Sequence, residues 1–543
     1  MRKLEYYFVV FCALFGWALG GASTAFVSSP KHHVQSECSF TRYPGLCVQT
    51  LIGLGSSGFR STDVVSALVE KTISETKLPS TTSDFSLLSS HLGVQAAQRA
   101  HYLTDYCETL MGMSMKKLNQ SLTALKKFPR KKKEDIQTWL SASLTFVQAC
   151  KDSAASYHGV GNGSSVVSGG FTSKISKKMD YLSELSSNAL ALANRIKRNT
   201  KIINSNETTR RLAEDFPKWV SPKERKLLQA PTIEANAIVA QDGTGNYKSV
   251  SEAIKAASGG RFVIYVKSGV YKEKIHTNKD GITLIGDGKY STIIVGDDSV
   301  ANGASMPGSA TVTITGDGFI ARDIGFHNTA GPKGKQALAL NIASDRSALY
   351  RCSIAGYQDT LYTLALRQFY RECDIYGTID FIFGNSIAVF QNCNVMLRRP
   401  LGGSENAILA NGRSDPGQNT GFSLQNCRIG PGSDFAPVKH SYESYLGRPW
   451  KEYSRAVVMQ STIDDAIKPS GWVEWPGNGK SVLSSLYFAE FANVGPGAGI
   501  SGRVKWPGFK VIGANEASKF TVANFIDGTS WLPSTRVAFD SGL

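Results

Sequence analysis

Histidine is scarce in this chain. There are eight in 543 residues, and only His276, His327 and His440 lie after residue 230. No G-x-S-x-G elbow, H-E-x-x-H run or C-x-x-C pair occurs anywhere, which argues against a serine hydrolase triad and against zinc chemistry. Long apolar runs are missing beyond the N-terminus. Negative charge is in deficit, with 60 Lys+Arg against 44 Asp+Glu and a formal net charge of +16. The excess lies mostly upstream of residue 230, so it characterises the first half of the chain. Its densest run, "KKFPRKKKED" from Lys126 to Asp135, carries a single aromatic, Phe128, and no repeated interleaving of aromatics with charge. It reads as a solvated interhelix loop, and no nucleic-acid partner is expected.

What is present begins with a leader. Arg2 and Lys3 precede an apolar run from Tyr6 to Leu19, and small residues follow between Ala22 and Ala25. Residues 1–25 read as a secretory signal peptide, with an uncleaved signal anchor as the alternative. Without Cys12, eight cysteines remain: Cys38, Cys47, Cys107 and Cys150 upstream, then Cys352, Cys373, Cys393 and Cys427 downstream. An even number in an oxidising route predicts disulfides. Asn119, Asn162 and Asn206 each open an N-x-Ser/Thr sequon and are candidate glycosylation sites.

Residues 31–203 read as helices. "DIQTWLSASLTFVQACKDS" and "KKMDYLSELSSNALALANRI" place apolar residues three and four apart. "CSFTRYPGLC" closes a Cys38–Cys47 loop, and Cys107 with Cys150 is placed to tie two helices of a bundle. Residues 204–229 form a polar connector with basic pairs at Arg210-Arg211 and Arg225-Lys226, candidate sites for a processing protease.

After residue 230 short strand-like runs and turn residues take over, apart from "YKSVSEAIKAAS". "FIARDIGFHNTAG", "ALYRCSIAGYQDT", "QFYRECDIYGTID", "AVFQNCNVMLRR" and "FSLQNCRIGPG" resemble one another. Aligning Asp323, Cys352, Cys373, Cys393 and Cys427 gives a period of roughly 20 to 35 residues, the range of a solenoid turn. The expected fold is an all-β parallel β-helix at 230–543. One side-chain column would bring Cys352 to Cys373 and Cys393 to Cys427 for disulfides, unless the stack stays unbridged.

Polar residues set among aromatics recur on successive coils: Gln336, Gln358, Asp359, Asp380, Arg448 and Trp450. Asp359 and Asp380 are one coil apart, so the two carboxylates are expected to face one cleft with split pKa values, Arg448 supplying a cation. Gln336 and Gln358 offer N–H donors to an oxyanion. A carboxylate nucleophile, a carboxylic acid and such donors suffice for acyl transfer. The alternative is that these Asp and Gln residues cap turns of the solenoid.

"GVYKEK" (Gly269, Tyr271, Glu273), "QALAL", "GYQDTLY", "RQFYRECDIYGTIDFIFGN" and "LGRPW" resemble the plant pectin methylesterases, from about Ala235 to the C-terminus. "YPGLC", "LNQSLTAL" and "DIQTWLSASLT" resemble that family's inhibitor-like pro region, a four-helix bundle, and "RKLLQ" resembles its processing motif, with Arg210-Arg211-Leu212-Ala213 as a degenerate second copy. The resemblance implies a right-handed parallel β-helix that hydrolyses the C6 methyl esters of homogalacturonan in pectin. It implies Asp380 as nucleophile, Asp359 as proton donor, Gln358 and Gln336 as oxyanion donors, and Arg448 as the group holding Asp380. Trp450, Tyr357 and Phe383 would line the substrate cleft. No cofactor or metal is implied. It further implies a secreted cell-wall enzyme, monomeric when mature, with its own pro region as a partner in cis. Two positions depart from the family pattern, Met306 for a threonine and Leu364 for a histidine. The competing functions are a catalytically impaired β-helix acting through its inhibitor-like domain, and a lyase or polygalacturonase; for the latter, the only acidic doublets after residue 230, Asp297-Asp298 and Asp464-Asp465, lie outside the aromatic motifs.

Overall fold

The computed structural model describes residues 30–52, 60–76, 94–128, 133–158, 166–196 and 234–543. The leader, the 204–229 connector with its basic pairs, Asn162 and Asn206 fall outside these residues.

Four long helices, Ser61–Glu75, Val94–Lys126, Lys133–His158 and Val166–Ala193, pack in a closed ring. Two short ones, Pro30–Cys38 and Pro44–Ile52, precede them. The Lys133–His158 helix shows how sequence makes such an element. Glu134 and Asp135 fill its first turn, where carboxylates complement the helix dipole. Ile136, Leu140 and Val147 then share a buried stripe. Both predicted upstream disulfides form, Cys38–Cys47 and Cys107–Cys150, and the second ties two long helices. Asn119 lies exposed within the Val94–Lys126 helix.

From Ala237 the chain winds as a solenoid of three parallel sheets, with eleven, seven and eight strands. Each coil contributes about one strand to each sheet, and every pairing is parallel. Interior columns are apolar, as in Ile354, Ile375, Val395 and Ile429. Corners repeat as well. Asp323, Arg351, Glu372, Asn392, Asn426 and Gln460, each just after a strand of the eleven-stranded sheet, take φ between 52° and 55°. This left-handed residue turns the chain once per coil.

The corner corrects two expectations. Tyr350 pairs with Arg322, so Asp323 aligns with Arg351, and it is Ile324 that shares the column with Cys352. Cys352, Cys373, Cys393 and Cys427 do form one buried column, yet all four are free thiols. Coils stack about 4.8 Å apart with side chains parallel. A disulfide needs its two Cβ atoms about 3.5–4.5 Å apart and converging. The thiols instead donate to backbone carbonyls, as Cys373 Sγ does to Arg371 O at 3.4 Å and Cys427 Sγ to Phe390 O at 3.3 Å.

The two parts share a core. One apolar cluster runs from bundle residues such as Leu140, Phe146 and Leu190 into Leu338, Tyr362, Leu364, Phe383 and Ala410 on the outer face of the seven-stranded sheet. The Lys133–His158 helix lies on the strand Leu361–Ala365. Polar contacts ring this seam. Arg367, 1% exposed, binds Asp135 of the bundle (2.7 Å) and Asp345 in a turn of the solenoid (2.7 Å). Trp139 Nε1 donates to Asp345, Lys117 pairs with Asp317, and Lys451 with Asp152.

Candidate active site on the seven-stranded sheet

Asp380 lies in the strand Ile379–Gly384, whose pairing with Asn406–Asn411 skips between Ile379 and Ile382. The irregularity answers how a carboxylate fits an apolar strand. Phe381 and Ile382 enter the solenoid core in succession, while Asp380 and Phe383 stay on the outer face. Phe381 folds under Gly377, where an added Cβ would stand 2.1 Å from the Phe381 Cβ.

Arg448, from the strand Ser444–Pro449 two coils on, grips Asp380 with two parallel hydrogen bonds. Nε to Oδ1 is 2.8 Å and Nη2 to Oδ2 is 2.7 Å. The guanidinium lies over the Trp475 ring, 4.4 Å from its centroid. Asp359 sits on the preceding coil, its backbone N–H donating to Ile379 O. Both carboxyls are nearly buried, 8% and 5% exposed. Burial, then the neighbouring Asp380 charge, pushes Asp359 well above the usual carboxylate range. Burial also raises Asp380, and the bidentate Arg448 offsets only part of that rise. Both carboxyls move upward, Asp359 further, so Asp359 is the member of the pair that holds a proton more strongly and Asp380, beside the cation, the one that ionises more readily.

Gln336 and Gln358 pair across adjacent coils through their backbones, and their side-chain amides are not engaged by other described residues. Phe383 stacks on Tyr362 at 4.3 Å and meets Trp450 edge-on at 6.0 Å. Trp450 also needs Gly412 beneath it, where a Cβ would come within 2.8 Å of the indole. Tyr357 has a cationic partner of its own. Its ring lies under Arg398 at 3.8 Å and its hydroxyl accepts from Arg398 Nη2 at 2.7 Å, so its phenol is already engaged. Met306 and Leu364, the two departures, both pack into the core shared with the bundle. The acidic doublets are taken up by lysines, Asp464 by Lys439 (2.8 Å) and Asp298 by Lys274.

Sequence reasoning missed Trp475, Glu405 and Tyr362. Trp475 stands beside Trp450, at 6.3 Å between centroids, and Glu405 approaches Arg448 Nη1 at 3.5 Å. Tyr362 closes the motif "GYQDTLY" but was not singled out there, and neither Trp475 nor Glu405 sits in a run whose pattern distinguishes it from core or loop. Among the described residues, no helix is long and apolar enough to cross a membrane.

The outer face of the parallel solenoid thus carries an arginine-held carboxylate beside a second, buried one, and a helical bundle precedes the solenoid in the chain. The comparisons with known proteins say which family this is. Residues 236–529 match the Pectinesterase family model and residues 32–192 match Plant invertase/pectin methylesterase inhibitor. Probable pectinesterase/pectinesterase inhibitor 54 of Arabidopsis thaliana is 50% identical over 506 residues, covering 92% of this chain and 91% of that protein. Pectinesterase 2 of Citrus sinensis is 42% identical over 543 residues, 96% of each. Among solved structures, the pectin methylesterase from carrot is 51% identical with a TM-score of 0.57, covering 58% of this chain and all of its own. The chain belongs to the pectinesterase family of carboxylic ester hydrolases and carries an inhibitor-like domain ahead of the enzyme domain.

Proposed function

We propose that this chain removes methyl groups from the C6 esters of homogalacturonan, using Asp380 as nucleophile and Asp359 as acid and then base. The observation that carries the reading is the bidentate Arg448–Asp380 pair one coil from a second buried carboxyl, Asp359, whose hold on a proton burial strengthens. Asp380 attacks the ester carbonyl carbon, and the tetrahedral oxyanion is met by the free amides of Gln358 and Gln336. As the C–O bond to methoxide breaks, Asp359 gives its proton and methanol leaves. The acyl group is then an anhydride on Asp380. Asp359, now ionised, takes a proton from water, whose oxygen attacks the acyl carbon. The products are a free galacturonate carboxylate and restored Asp380. Trp450, Phe383 and the previously unmarked Trp475 form the wall against which sugar rings pack.

In the uncut chain the bundle occupies this face, and we assign it as a cover in cis, removed by cleavage within 204–229 near Leu228. The sequence features assign the protein to the secretory route and the cell wall. The test is methanol release from methylated pectin by the whole chain and by a 230–543 fragment. The fragment is expected to release methanol and the whole chain much less. Asp380→Asn in the fragment is expected to lower the rate roughly 1000-fold or more. A folded fragment that releases no methanol would sink the reading.

A further inference from the structure

Arg448 has two acidic partners. Its Nε and Nη2 serve Asp380, and Nη1 lies 3.5 Å from Glu405 Oε1. Glu405 stands just before the strand Asn406–Asn411, one coil beyond Asp380. Glu443 holds the equivalent place on the next coil, since Asn406 pairs with Ser444 and its N–H donates to Glu443 O. Asp359, Asp380, Glu405 and Glu443 thus follow one another on four successive coils. The first two side chains are buried, whereas those of Glu405 and Glu443 are 32% and 59% exposed. Arg448 is the basic group facing Glu405, and it is already shared with the nucleophile; Lys468 approaches Glu443 at 3.5 Å.

This arrangement bears on which sugar can lie next to the one being cleaved. A methyl-esterified unit brings a neutral group to Glu405. A de-esterified unit brings a carboxylate, which meets a like charge whose countercharge among the described residues, Arg448, is shared with Asp380. We propose that Glu405, reinforced by Glu443, is a specificity-determining residue that admits methyl-esterified and rejects de-esterified galacturonosyl units on this side of the catalytic pair. The proposal rests on the esterase reading above and deepens it. It makes the product of one turnover a poor neighbour for the next on that side.

The test uses the 230–543 fragment, which corresponds to the whole of the solved carrot chain. Methanol release is measured on highly methylated pectin and on pectin with most esters removed. The readout is the ratio of the second rate to the first, which a simple loss of Arg448 support would leave unchanged. Glu405→Gln is expected to raise that ratio about five- to tenfold at low salt. Glu443→Gln should shift it less, in the same direction. Salt of about 0.5 M should move the wild-type ratio toward that of the variant, because exposed charges are screened. Equal rate changes on both pectins, or an unmoved ratio in both variants, would overturn the proposal. A wild-type fragment inactive on both pectins would overturn the esterase reading instead.

Discussion

Asp359 and Asp380 both carry positive φ, 60° and 51°. Aspartate tolerates this region better than most residues, yet each instance costs backbone energy. Here it swings a side chain out of the strand alternation and toward the cleft. The two carboxyls then differ by one partner. Asp380 has Arg448 and Asp359 has no comparable cation bond, and that difference sets which keeps its proton. It also gives a stability signature. In the unfolded chain Asp359 ionises near its ordinary value of about 3.9. In the fold it holds its proton to higher pH. Unfolding therefore gains from ionisation as pH rises above about 4, and native stability contributed by this group falls until the folded pKa is passed. Asp359→Asn removes the effect. In thermal unfolding of the fragment, the variant's Tm relative to wild type should climb between pH 4 and pH 7. A constant difference across that range would mean Asp359 is not held protonated. The residues proposed for catalysis stand out in the sequence because each sits in a short motif with an apolar or aromatic frame. Glu405 and Trp475 do not, because their meaning depends on Arg448, which reaches them only after the coils stack.

At the scale of the element, the repeat was legible and its phase was not. An apolar pair, a polar residue and a cysteine mark each coil in the sequence, but the left-handed corner residue has no fixed identity. It is Asp323 on one coil, Arg351 on the next and Asn392 later. A one-residue slip was invisible without the pairing register, and it placed Asp323 in the thiol column. The same geometry left the thiols unbridged. Denaturing the 230–543 fragment without reductant should expose four titratable thiols, from Cys352, Cys373, Cys393 and Cys427. A count of zero would restore the two predicted disulfides. Reductant should likewise leave the fragment's Tm unchanged, whereas in the whole chain it should loosen the bundle tied by Cys107–Cys150.

For the whole molecule, the bundle and the solenoid were each readable from periodicity, three to four residues in one and a coil length in the other. Their docking was not, since no local pattern says that Asp135 will meet Arg367 across 232 positions. That buried contact is the seam's most committed. Removing one partner of a buried pair typically costs about 3–5 kcal/mol. Asp135→Asn leaves the Arg367–Asp345 pair intact within the solenoid, so its cost falls on the bundle's hold. Methanol release by the uncut Asp135→Asn chain is expected to rise well above that of the uncut wild type. An unchanged rate would mean that Asp135 does not help to hold the cover.

The bundle precedes the solenoid in the chain, and order along the chain becomes order in time. Synthesis proceeds at about 5–20 residues per second, N-terminal domains folding first. Arg448 emerges some 250 positions after Ile196, the end of the bundle's described residues, a delay on the order of tens of seconds. Asp380 acquires its cation only then. A helical partner for this face is thus already folded when the strand carrying Arg448 arrives, so the face never needs to stand open while the protein is being made.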